Sequence, residues 1–163
     1  MNQSKGSTAN TEADASKNTS KHNPFSNILK SGEADKLGSK SQGKEGKVLF
    51  EIAQNSEKQQ LYFRISGQTG GAGLHSKQWV PCSKLFEVIE SQGDKPWKSQ
   101  VYKSLYSSGS ANNQGFCAAI VRGLGLAVKA ESSIYLHVVS EKYQDRKKEL
   151  LDLVNHIKPT QKK

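Results

Sequence analysis

Tyr62, Arg64, His75, Lys77 and Trp79 are the residues whose types and spacing best suit chemistry. In Leu61–Ser66 the apolar Leu61, Phe63 and Ile65 alternate with Tyr62 and Arg64. In Leu74–Val80, His75, Lys77 and Trp79 recur at every second position. Strand side chains alternate between faces, so each set shares one face of its strand. Were both sets to face outward, one sheet surface would carry rings and cations together. Such a surface suits single-stranded DNA or RNA: bases stack on the rings, at on the order of 1–3 kcal/mol each, while Lys and Arg meet phosphates. The competing placement turns Trp79 into the core beneath the next helix and leaves Leu74, Ser76 and Gln78 in solvent.

Other clusters are weaker. Arg146, Lys147 and Lys148, with Lys158, Lys162 and Lys163 beyond, form a basic patch toward the C-terminus; charge runs of this kind are usually solvated faces. Phe25, Ile28 and Leu29 are spaced i, i+3, i+4, with Asn23 and Pro24 placed to cap and open a short helix. That segment, residues 23–30, reads as a partner-docking motif or as a tether packing on its own domain. Gly67–Gly73 is glycine-rich, but Leu74-His75-Ser76 follows it where a phosphate loop needs Lys-Ser or Lys-Thr opening a helix. It reads as a mobile hairpin loop.

Catalysis finds little to build on. Cys82 and Cys117 are the only cysteines, each beside apolar residues and without CxxC spacing. The His residues show no ligand spacing, and neither HExxH nor a nucleophile elbow is present. The expectation is a non-enzymatic protein with no catalytic residue, metal site or cofactor.

The elements that must position these residues begin at a break in composition near Gly46. Residues 1–45 contain few large apolar side chains and cannot offset the entropy of ordering them, which predicts a disordered N-terminal arm. Residues 46–159 then form one compact domain, followed by a basic tail at 160–163. The charge is +9 overall, with seven Lys against five acids in the arm, so most of the excess belongs to the domain. That balance draws polyanions. The chain carries no apolar leader and no run long enough to span a bilayer. Together these lead to an expectation of a cytoplasmic protein with no membrane partner.

Alternation predicts strands at 47–53, 61–66 and 74–80. Helical stripes predict helices at 82–92, 97–107, 113–124 and 141–157, with a hairpin pairing 126–129 and 134–139. The fold class expected is α+β: an antiparallel sheet of three or more strands packed by helices on one face, with a disordered arm. The order helix, helix, helix, hairpin over 82–139 also resembles a winged helix, in which Asn112, Asn113, Gln114 and Arg122 would face duplex DNA. The expected function is nucleic-acid binding, with single strands favoured on the sheet face. The alternatives are duplex binding by the winged-helix segment, and a protein adaptor docking through Phe25, Ile28 and Leu29.

Overall fold

The computed structural model describes residues 23–36, 46–71 and 74–161. Four strands form one antiparallel sheet in sequential order: β1 (Asn27–Asp35), β2 (Lys47–Asn55), β3 (Gln60–Thr69) and β4 (Val80–Pro81). Three α-helices follow, α1 (Cys82–Gln92), α2 (Ala111–Gly123) and α3 (Tyr143–Gln161), with a 3-10 helix at Ser99–Leu105 between the first two. Strands β5 (Ala127–Ala130) and β6 (Ser133–Val139) form a separate hairpin between α2 and α3. The α+β class, with helices on one sheet face, is as expected.

The core follows the predicted alternation. Val48, Phe50 and Ile52 of β2 and Leu61, Phe63 and Ile65 of β3 are all buried in one cluster with Leu85, Phe86 and Ile89 of α1 and Cys117, Ile120 and Val121 of α2. Phe50 pairs with Ile65 and Ile52 with Phe63 across the two strands, so the large side chains stack on the helix side. Asn55 holds the β2–β3 turn, its side-chain oxygen accepting from the N–H groups of Glu57 and Lys58 at 2.8 and 2.9 Å. α1 begins after Pro81 and ends at Gly93, whose φ of 63° suits glycine.

Five expectations need correction. The domain begins before Gly46, because β1 lies within the stretch assigned to the arm and pairs along β2 from Asn27↔Gln54 to Asp35↔Lys47. Its small residues are what let it fit. The Phe50 ring lies over Gly32, where a Cβ would stand 2.7 Å from the ring, and Ala34 is buried against α2. The part of the arm at residues 1–22 lies outside the described residues.

The 23–30 segment is not a helix. Asn23–Ser26 form a turn, and Ile28 and Leu29 belong to β1. A register shift between Ile28 and Lys30 leaves Leu29 packed against the core while Ile28 is exposed.

Residues 74–79 are not a strand; only Val80 and Pro81 pair with β3. Side chains from the 105–113 region take the hydrogen bonds a neighbour strand would have made. Ser76 N–H donates to Asn113 Oδ1 at 2.8 Å, and the Leu74 carbonyl accepts from Ser110 Oγ and Asn112 Nδ2 at 3.0 and 2.9 Å. Gln78 in turn donates to the Leu105 carbonyl and accepts from the Ser107 N–H, both at 3.0 Å.

Trp97 does not start a helix. It forms an isolated antiparallel bridge with His137 of β6. At the far end, α3 runs through 159 to Gln161, so the helix enters the expected tail; Lys162 and Lys163 lie outside the described residues.

Candidate nucleic-acid interface

Two surfaces compete. On the first, the face of the sheet away from the helices, Tyr62 and Arg64 stand opposite Leu61, Phe63 and Ile65, as alternation requires. The Trp79 ring lies on this face too, with the Arg64 guanidinium carbon 4.5 Å from its centroid. So Trp79 is not beneath the helical layer, and three of the five expected sheet residues do converge. Phe25 joins them. Its ring stacks on Trp79 at 4.7 Å and 11°, and meets Tyr62 edge-on at 4.9 Å. His75 is placed elsewhere, with its ring 5.6 Å from Phe116 of α2, and Lys77 is exposed on the irregular 74–79 segment.

This face is occupied rather than open. Tyr62 is only 8% exposed. Arg64 is bonded to Glu51 at 2.8 Å, and Lys47 to Asp35 at 2.6 Å, both across neighbouring strands. Paired cations attract phosphate weakly, and rings already stacked on one another leave less plane for a base to stack on.

The basic patch on α3 is likewise matched with carboxylates. Arg146 pairs with Glu149 at 2.9 Å, Lys147 with Glu90 at 2.6 Å and Lys148 with Asp152 at 2.8 Å. Glu90 also accepts from Tyr143 Oη at 2.6 Å, and the hydrogen bonds from Lys147 and Tyr143 hold its carboxyl below the usual range.

The second surface is built where the hairpin meets α2. Trp97 N–H donates to the His137 carbonyl at 2.9 Å, and His137 N–H to the Trp97 carbonyl at 2.8 Å. Inside, Trp97 Nε1 donates to Tyr102 Oη at 2.8 Å. This pair adds a third, one-residue strand beside β6. The connectivity becomes helix (α1), bridge strand, 3-10 helix, helix (α2), hairpin.

Arg122 on α2 reaches His137 Nε2 with one guanidinium nitrogen and the Asp35 carbonyl with the other, both at 2.9 Å. A guanidinium only donates, so His137 Nε2 accepts and the ring proton sits on Nδ1. That Nδ1 is buried and has no partner among the described residues. Burial, with Arg122 and Lys129 nearby, pushes the imidazole down to about 4, so it is neutral at pH 7.

Beside this contact lies a cleft of about 370 Å³. Gly115 and Ala118 of α2 line it, with Lys98 and Gln100 from the start of the 3-10 helix and Tyr135 and His137 from β6. Tyr135 is 66% exposed. Lys129 pairs with His137 across the hairpin. Neither Lys98 nor Lys129 has a carboxylate partner among the described residues.

Of the α2 side chains expected to face DNA, Arg122 lines this cleft, whereas Asn112 and Asn113 are used to hold the 74–76 segment. Sequence reasoning missed Lys98, Lys129 and Tyr135, which carried no signal beyond being polar or exposed positions in short elements.

Neither cysteine is placed for chemistry. Both thiols are buried, and desolvation pushes each up to about 12. Among the described residues no group of His, Cys, Asp or Glu is arranged to hold a metal ion, and no helix is long and apolar enough to cross a membrane. Comparison with protein-family models, with curated proteins and with solved structures finds no match to this chain.

Proposed function

We propose that this chain is a non-enzymatic nucleic-acid-binding protein that grips duplex through the cleft between α2, the 3-10 helix and the β5–β6 hairpin. The observation that carries this reading is the paired backbone of Trp97 and His137, because it completes the winged-helix connectivity around that cleft. In helix-turn-helix proteins the recognition helix enters the major groove while the helix before it crosses the phosphate backbone. Here Lys98 and Arg122 line the cleft and Lys129 stands beside His137 in its wall, within a chain of net charge +9.

Where α2 meets the cleft, only Gly115 is exposed, with Ala118 buried behind it, and neither has a group to read a base edge. Contacts therefore go to phosphates, which position a protein without specifying sequence. A preference for single strands at the sheet face is the less favoured reading, since Tyr62, Arg64 and Trp79 are already engaged with Phe25 and Glu51.

The test is a titration of a labelled short duplex and of one of its strands at several salt concentrations. Duplex should bind more tightly. Log affinity should fall with log salt at a slope of about −2 to −3, the release expected for two or three neutralised phosphates. Tighter binding of the single strand, or affinity indifferent to salt, would count against the proposal.

A further inference from the structure

We infer that the outer sheet face around Trp79 is a docking slot for a peptide turn of the form Asn-Pro-aromatic, and that the chain's own Asn23-Pro24-Phe25 fills it in cis. The occupant itself shows what fits. Phe25 is stacked on Trp79 and set edge-on to Tyr62, the two geometries aromatic pairs prefer. The backbone is recognised as well as the ring: Ser56 N–H donates to the Pro24 carbonyl at 2.9 Å. The segment is shaped for the slot by its own bonds, Phe25 N–H to Asn23 Oδ1 at 2.9 Å and Ser26 N–H to the Asn23 carbonyl at 3.1 Å.

The surroundings suit a peptide better than a polyanion. Arg64 and Lys47 are matched by Glu51 and Asp35, and Glu33 shares this outward side of β1 through its pairing with Leu49. Ile28, 40% exposed opposite Ala53, extends the apolar surface beyond the rings. The cis segment is lightly held. Phe25 is half-buried, and one backbone hydrogen bond ties its turn to the β2–β3 connection. A partner's turn of the same chemistry can therefore replace it, and the cis copy sets a threshold that such a partner must exceed.

The experiment uses the full chain and a labelled peptide with the sequence of residues 23–30, followed by anisotropy and Trp emission. Phe25→Ala should bind the peptide, with a change in Trp79 emission. The unaltered chain should bind at least about tenfold more weakly, because the tethered copy competes at high effective concentration. Adding Trp79→Ala to Phe25→Ala should abolish binding.

Circular dichroism monitors folding, and Phe25→Leu, which keeps the apolar bulk without the stack, replaces Phe25→Ala if that variant unfolds. Three results would overturn the inference: no peptide binding to the folded variant, binding unaffected by Trp79→Ala, or displacement of the peptide by a single-stranded oligonucleotide, which would make the slot a base-stacking site.

Discussion

Gly123 of α2 lies so close to Ala34 of β1 that a Cβ on the glycine would stand 2.9 Å from the alanine Cβ. Helix and strand meet here nearly backbone to backbone. Gly123→Ala should therefore destabilise the fold by about 1–2 kcal/mol, the overpacking cost reduced by the better helix propensity of Ala. Adding Ala34→Gly should recover part of that loss, giving a coupling in a double-mutant cycle of urea unfolding. Additive effects would show that the two residues do not touch.

Lys98→Ala and Lys129→Ala should each weaken duplex binding to a similar degree for all sequences and lower the salt slope by about 1. Lys148→Ala serves as the comparison, since Lys148 is already paired with Asp152 on α3. Its removal should leave both affinity and slope unchanged in the same titration.

His137 makes stability depend on pH. Its folded value of about 4 lies below the ordinary 6.5, so the unfolded chain takes up this proton first as pH falls. The contribution of the neutral, buried ring is complete above about pH 6.5 and is lost progressively down to about pH 4. With the side chain only 3% exposed, the loss amounts to roughly 2–3 kcal/mol. Urea midpoints at pH 7 and pH 4.5 should fall less for His137→Gln than for the unaltered chain. An equal fall in both would show that His137 does not carry the dependence.

Cys82 and Cys117 should resist thiol reagents in the native state. Both are buried and held near 12, so neither the thiolate nor access is available. Labelling with an aromatic disulfide should wait for opening of the fold and accelerate in step with added denaturant. Prompt labelling of one equivalent would place a cysteine at the surface.

The parts of this architecture legible in the sequence are those where large apolar residues keep a period. Val48, Phe50 and Ile52, then Leu61, Phe63 and Ile65, announced two strands and their inward faces. Leu85, Phe86 and Ile89 did the same for α1, and Gly93 marked its end.

What stayed hidden had no such period. β1 fits because Gly32 and Ala34 are small enough for Phe50 and α2 to approach, and small residues among polar ones read as disorder. In 74–79 the alternation of His75, Lys77 and Trp79 was real, yet the hydrogen bonds of Ser76 and Gln78 to the 105–113 region decided the conformation. Ser110 caps α2, accepting from Asn112 N–H at 3.2 Å, so the helix starts at Ala111 rather than at 113.

The sheet face was read correctly in where Tyr62, Arg64 and Trp79 point. Its neutralisation depended on Phe25 and Glu51, partners that strand alternation cannot supply. The order of helices and hairpin was visible, but the Trp97–His137 pairing, which ties the hairpin to the segment before the 3-10 helix, spans forty residues of sequence and has no local signature.

The irregular register at Leu29 has a consequence for solubility. Among the described residues β1 has a strand neighbour on one side only, so its other margin is an edge to which a similar strand could add. An extra residue at Leu29 twists that margin, while Lys30, Glu33 and Asp35 stud it with charge. Both are recognised defences against self-templated stacking, and a change that straightened the one or neutralised the other would invite fibrils long before it unfolded the helices.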